Sequence, residues 1–106
     1  MITKKEVRRY PRVGLPKGML VAWQSGGDRI VSRIETMGLG GLFIQTPDPP
    51  EVGMILKLVF QLPGGDVRAR AVVRNSEKGA GMGVEFTGMG FEARARLVQV
   101  LRRLLE

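Results

Sequence analysis

Three arginines near the start of the chain, Arg8, Arg9 and Arg12, have the chemistry and the spacing of an anion-binding cluster. Each guanidinium presents a planar fork of N–H donors that fits the oxygens of a phosphate or the edge of a guanine base. Pro11 stiffens the segment between the last two of them. On composition alone, the same residues could also form a solvated basic arm. Residues 1–17 are therefore interpreted as a flexible N-terminal arginine arm.

A second stretch that could approach a ligand is the glycine corner, which we define as Gly38, Gly40 and Gly41. Glycine has no Cβ, so the corner can either adopt a positive φ or let another molecule come close to the backbone. Backbone amides in such a bend can also face an anion. The simpler alternative is a loose connection between two strands.

The overall charge agrees with an anionic partner. The chain has 106 residues, with 17 Lys and Arg against 10 Asp and Glu, which gives a formal net charge of +7. A field of that sign favours a nucleotide, a nucleic acid, a lipid headgroup or an acidic protein. The length fits one domain, and no apolar run is long enough to span a membrane. The charged N-terminus has no apolar signal region, so a cytoplasmic location is expected.

The residue types argue against an enzyme. The chain has no cysteine and no histidine, which removes thiol nucleophiles and the commonest general base and metal ligand. Its carboxylates are scattered without the spacing of a metal site. The glycine corner lacks the lysine of a phosphate-binding P-loop and precedes a strand rather than a helix. We therefore expect neither catalysis nor a cofactor.

The elements that must position these residues are short strands. Alternating apolar and polar residues, separated by glycine and proline turns, predict six strands, at residues 18–24, 29–35, 41–46, 54–62, 67–74 and 81–86. Only residues 91–105 have the 3.6-residue period of a helix. Phe91 and Leu97 are expected on its apolar side and Arg96 on its polar side. The helix is interpreted as a lid on the barrel mouth, the alternative being a basic amphipathic helix for a membrane or nucleic acid. Because short strands need protected edges, we predict an all-β fold with a C-terminal helix, in which residues 18–106 form a small, roughly six-stranded antiparallel barrel.

The order of these features resembles the PilZ domain, a family of bacterial cyclic-di-GMP receptors. Its signature is an Arg-x-x-x-Arg arm followed by an Asp/Asn-x-Ser-x-x-Gly turn. Arg8 and Arg12 match the first part, and the segment from Thr36 to Gly41 aligns with the second. The similarity extends over nearly the whole chain and implies the same barrel. It also implies that Arg8, Arg9 and Arg12 clamp cyclic-di-GMP, with Gly38 and Gly41 letting the ligand lie on the barrel wall. Arg74, outward on the fifth predicted strand, could add a further cation.

Two positions depart from the family signature. Thr36 stands where the family has a carboxylate or amide, and Gly38 stands where it has serine. A threonine hydroxyl can accept a hydrogen bond but cannot pair a guanidinium bidentately. Each lost contact would cost roughly 1–2 kcal/mol, or about tenfold in affinity. Glu35 is a neighbouring carboxylate, but regular alternation directs it to the opposite side of the strand from Thr36, and only a bulge could bring it round.

Three functions compete for this sequence. The first is a cyclic-di-GMP receptor whose arm becomes ordered on binding and so regulates an unidentified protein partner. The second is a degenerate PilZ domain that no longer binds the nucleotide and serves as a protein-interaction module, as some members of the family do in pilus or motility systems. The third is general nucleic-acid binding, against which the low aromatic content of 6% argues.

Overall fold

The computed structural model of the protein describes residues 12–14 and 18–105, and these form an antiparallel β-barrel followed by one helix. The elements follow in chain order: β1 (Arg12–Gly14), β2 (Leu20–Gln24), β3 (Ile30–Gly38), β4 (Gly41–Gln45), β5 (Ile55–Leu62), β6 (Gly65–Glu77), β7 (Gly81–Met89) and α1 (Phe91–Leu105).

Six strands close the barrel in the order β3-β2-β5-β6-β7-β4, because β4 pairs with β3 as well as with β7. The predicted six-stranded barrel with a C-terminal helix is therefore confirmed. In this closed order the β3–β4 hairpin and the β5–β6 hairpin are separated by β2 on one side and by β7 on the other. The two hairpins consequently lie on opposite sides of the barrel.

A seventh strand, β1, lies within the segment interpreted as an arm. One edge of β3 has two successive partners, because β2 pairs with Ile30–Arg33 and β1 pairs with Thr36–Gly38. Strand β2 is too short to cover the whole of β3, and β1 takes the part of the edge that remains. This pairing brings the N-terminal segment to the end of β3.

The core is made of the inward residues of the strands and one side of α1. Strand β5 shows the pattern most clearly, since Leu56, Leu58 and Phe60 are buried. The helix contributes Ala93, Leu97 and Leu101 to the same core. Phe91 was expected on the apolar side of the helix but is 89% exposed, because it is the first residue of α1 and lies beyond the core cluster.

Arg96 was expected on the solvent side of the helix, yet it holds the β5–β6 turn. Its Nε donates to the carbonyl of Gly64 at 3.1 Å, and a terminal nitrogen of its guanidinium donates to the carbonyl of Asp66 at 3.0 Å. The helix packs chiefly against β6 and also contacts β5 and β1. It therefore covers the barrel as the lid interpretation predicts.

Candidate functional site

The glycine corner connects β3 to β4 through only two residues, Leu39 and Gly40. Gly38 and Gly41 are buried, and the corner is tied to the next strand because the amide of Phe86 donates to the carbonyl of Gly40 at 2.8 Å. None of the corner glycines is among the described glycines with positive φ. These glycines were expected either to adopt a positive φ or to let another molecule approach the backbone. The first use is therefore excluded, and the second remains.

Strand β1 brings the last arginine of the cluster to this corner. In the antiparallel β1–β3 ladder, Arg12 is opposite Gly38, and Gly14 is opposite Thr36. The backbone of the arginine segment thus pairs with the part of β3 that contains Thr36 and Gly38, the two positions that differ from the family signature. Arg8 and Arg9 lie outside the described residues, and their contribution stays a prediction.

A β-bulge at Glu35 changes the direction of one carboxylate. Ile34 is opposite Ile44, and Thr36 is opposite Phe43, so Glu35 is the extra residue on β3. Both Ile34 and Met37 are buried, which leaves two successive residues, Glu35 and Thr36, on the outer side. The regular alternation that directs Glu35 away from Thr36 is therefore wrong at this point, because the strand contains the bulge that alternation ignores.

Glu35 and Thr36 differ in how their oxygens are used. Glu35 is exposed, and its Oε2 accepts a hydrogen bond from Nε2 of Gln45 at 3.0 Å. The Oγ1 of Thr36 is buried and has no hydrogen-bond partner within the described residues. An unsatisfied buried hydroxyl costs about 1–3 kcal/mol. The motif position thus carries a polar atom that is available to another group.

A groove of about 720 Å³ lies beside the bulge on the outer face of the β3–β4 hairpin. Its lining includes Arg33, Glu35, Phe43, Gln45 and Glu77. Sequence reasoning did not select Phe43 or Gln45. A usable signal was present, however, because Ile34 and Met37 are apolar residues three apart within a strand, a spacing that fits one buried face only if a bulge lies between them.

Arg74 also lies at a bulge. Val73 is opposite Val84 and Asn75 is opposite Gly83, so Arg74 is the extra residue on β6. Its Nε forms an ion pair with Oε1 of Glu85 at 2.5 Å. Glu85 is in turn opposite Gly41 in the β4–β7 ladder. Arg74 therefore points outward as predicted, in the direction of the glycine corner, but as half of an ion pair rather than as a free cation.

The described residues contain no cluster of three or more His, Cys, Asp or Glu side chains that could hold a metal ion. Within the same part of the chain, no helix has the length and apolar content needed to cross a bilayer.

Comparison with known proteins agrees with this geometry. A family model described as PilZ domain matches residues 6–103. Among solved structures, the chain is similar to the Bacillus subtilis inhibitor of motility MotI/DgrA, with a TM-score of 0.74 and 23% identity, covering 94% of this chain and 52% of that one. It is similar to MrkH, described as a c-di-GMP-dependent transcription regulatory factor, with a TM-score of 0.75 and 19% identity, covering 94% and 52%. The K. pneumonia MrkH–c-di-GMP complex gives a TM-score of 0.75 and 21% identity, again covering 94% and 52%.

The chain spans about half the length of these three chains. No curated protein matches it. At these identities the solved structures establish the fold alone, whereas the family model covers almost the entire sequence. The barrel, its lid helix and the match over residues 6–103 lead to one conclusion: the chain belongs to the PilZ domain family.

Proposed function

We propose that this protein is a non-catalytic cyclic-di-GMP effector domain that acts in the cytoplasm without a cofactor. The observation that carries the proposal is the pairing of Arg12 with Gly38, since it joins the arginine segment to the glycine corner. Membership of the PilZ family and the likeness to a chain solved as a c-di-GMP complex support the choice of ligand.

The arginine cluster supplies the phosphate and guanine contacts in this proposal. Arg8 is four residues before Arg12, so the extended chain between them spans at most about 14 Å. Arg8 and Arg9 are therefore tethered within reach of the corner through β1. Their forks bind phosphate oxygens and the Hoogsteen edge of guanine, and a guanidinium plane stacks on a base. Gly38 and Gly41 present bare backbone against which the ligand lies.

Glu35 takes the acceptor role that the family signature gives to another position. The bulge directs its carboxylate to the outer face beside Thr36. One of its oxygens is held by Gln45, which fixes the side chain and leaves the other oxygen for the N–H groups of guanine. The Oγ1 of Thr36 gains its missing partner from the ligand or from the arm. Arg74, paired with Glu85 opposite Gly41, borders this site.

Ligand binding then orders the residues that precede β1 over the corner and changes the surface offered to a protein partner. The described similarity to a motility inhibitor and to a transcription regulatory factor supports a regulatory output of this kind. The second candidate is a degenerate domain that binds a protein without the nucleotide. The specific observation in its favour is that Thr36 carries no charge and Gly38 no side chain at the signature positions.

Titration calorimetry with cyclic-di-GMP separates the two candidates. The wild-type protein is expected to bind with micromolar or tighter affinity. Arg12→Ala removes charge-assisted hydrogen bonds and should weaken binding by about 10–100-fold. The matched control, Arg70→Ala, removes the same charge from the opposite hairpin and should change affinity less than about twofold. An absence of binding to the folded wild-type protein would rule out the receptor and favour the interaction module.

A further inference from the structure

The outer face of the β5–β6 hairpin carries cations that no ion pair within the described residues neutralises. Lys57 is directly opposite Arg70, and Arg68 is two residues along the same face of β6. Side chains at such positions are separated at Cβ by about 5 Å across the ladder and about 7 Å along the strand. None of the three forms an ion pair with another residue in the described part of the chain. We call these residues the cationic face.

The next outward arginine on β6 shows that an arginine on this strand can have an ion-pair partner. Arg74 is matched by Glu85 from β7. Opposite Arg70, by contrast, β7 has Gly88, which offers no side chain at all. Like charges placed directly opposite each other destabilise a sheet, so the cationic face has a cost that no ion pair within the described residues offsets. An anionic partner would offset it.

The cationic face borders a groove with a small-residue floor. The groove has a volume of about 440 Å³, runs across β2, β5, β6 and the end of β7, and also includes Arg29. Its floor is made by Ala22, Val59 and Gly88. Two exposed apolar residues extend the same outer face: Val31, which is opposite Ala22, and Ile55, two residues before Lys57.

This composition selects a protein rather than a nucleic acid as the occupant. The groove's aromatic residue, Trp23, is buried and donates its Nε1–H to Oγ of Ser32, so it offers no stacking surface for a base. Val31 and Ile55 are 61% and 60% exposed and would gain nothing from a phosphate backbone. A protein segment in which carboxylates alternate with apolar side chains matches both the cations and the exposed apolar residues of this face.

We propose that this face, on the side of the barrel opposite the glycine corner, docks an acidic segment of a partner protein. Carboxylates of that segment pair with Lys57, Arg68 and Arg70, and its apolar side chains cover Val31 and Ile55. Because β2, β5 and β6 each have strand neighbours on both edges, recognition proceeds through side chains and not by addition of a strand. The site is separate from the nucleotide site in position, because the two hairpins lie on opposite sides of the barrel.

The test uses a synthetic peptide of alternating glutamate and leucine, with a lysine–leucine peptide of the same length as its partner control. The ¹⁵N-labelled protein is titrated with each at low salt. We expect the acidic peptide alone to bind, with amide shifts at residues 57–59 and 68–70. Arg68→Glu/Arg70→Glu should weaken binding at least about tenfold, whereas Arg102→Glu/Arg103→Glu, with the same change in net charge on the exposed end of α1, should change it less than about twofold.

Thermal unfolding of both double variants verifies that they fold. Arg70→Glu places an opposite charge across from Lys57, so a lower unfolding temperature is not expected. If the unfolding temperature is nevertheless lower, the Arg68→Gln/Arg70→Gln variant is used instead of Arg68→Glu/Arg70→Glu. The proposal is overturned by equal loss in the two double variants, by peptide shifts elsewhere, or by failure of the peptide to bind. Arginine-dependent binding of a single-stranded oligonucleotide without peptide binding, or self-association through this face, would also overturn it.

Discussion

The two hairpins on opposite sides of the barrel are built from the same kind of strand but differ in regularity. The β5–β6 hairpin pairs eight residues of each strand without interruption. The β3–β4 hairpin has a bulge at Glu35 and then an abrupt glycine corner. The regular ladder places Lys57, Arg68 and Arg70 on one outer face. The interrupted ladder presents a carboxylate and a hydroxyl side by side, an arrangement that strict alternation forbids.

The comparison indicates that the candidate site forms where the strands of this barrel depart from regular alternation. Glu35 and Arg74 both occupy bulges, and Glu85, the ion-pair partner of Arg74, is opposite Gly41 of the corner. Four measurements, ordered from the largest expected effect to the smallest, test this contrast.

Single-residue deletions should distinguish the two hairpins most strongly. Deletion of Lys57 shifts the alternation of a regular strand, so buried residues such as Leu58 and Phe60 must turn outward. Since each loss of a large core side chain costs about 2–5 kcal/mol, the variant should not fold cooperatively. Deletion of Glu35 instead removes the bulge and keeps Ile34 and Met37 on one face, at a cost of about 1 kcal/mol.

Urea unfolding followed by the fluorescence of Trp23, the only tryptophan, measures both deletions. Equal damage in the two variants would contradict the assignment of the bulge.

The next effect concerns how each hairpin turn is held. The turn of β5–β6 depends on a side chain, since Arg96 donates to the carbonyls of Gly64 and Asp66. Arg96→Ala should therefore lower the free energy of unfolding by about 1–3 kcal/mol. Arg102→Ala, on the exposed end of the same helix, serves as the control and should stay within about 0.5 kcal/mol. Indistinguishable values would show that the helix does not stabilise this turn.

Restoring the family residue at the interrupted hairpin should have a smaller and opposite effect. Thr36→Asp adds a carboxylate to β3 opposite Gly14, on the strand that carries Arg12, so affinity for cyclic-di-GMP should rise by about tenfold, or 1.4 kcal/mol. Thr87→Asp makes the same change on exposed β7 and should leave affinity unaltered. Calorimetric titration compares the two variants. A decrease with Thr36→Asp would mean that Glu35 already supplies the only carboxylate that the site accepts.

The smallest effect is expected for the ion pair between Arg74 and Glu85. Their side chains are 63% and 50% exposed, so a double-mutant cycle should give a coupling energy of only about 0.2–1 kcal/mol. That coupling should diminish in 1 M salt, where the Debye length falls to about 3 Å. Arg70→Ala, which removes a cation that has no ion-pair partner among the described residues, should be neutral or slightly stabilising. A larger loss of stability on removing Arg70 than on removing Arg74 would contradict the proposed contrast between the cationic face and the ion-paired Arg74.

The sequence was sufficient for the regular part of the molecule. Strict alternation predicted strand β5, and the 3.6-residue period predicted α1 with the bounds that the structure has. Both signals are local, so neighbouring residues contain all the information they need. The run of glycines between two predicted strands identified the glycine corner, and the resemblance to the family then indicated which ligand it could face.

The remaining features depend on residues far apart in the chain. Strand β1 has three residues and no pattern of its own, and it forms only because β2 leaves part of the β3 edge uncovered. The spacing of Ile34 and Met37 was a local sign of a bulge, but only the pairing with β4 identifies Glu35 as the extra residue. The partner of Arg74 comes from β7, eleven residues later. These contacts exist only once the barrel has closed, so local pattern could not reveal them.

The most direct test determines, in one experiment, which of the two hairpins binds cyclic-di-GMP. Amide shifts of the ¹⁵N-labelled protein are followed during titration with the nucleotide. Saturable changes are expected at residues 35–42 and at Glu85, with no change at residues 57–59 or 68–70. Changes confined to the β5–β6 hairpin, or no changes at saturating nucleotide, would contradict the proposed nucleotide site.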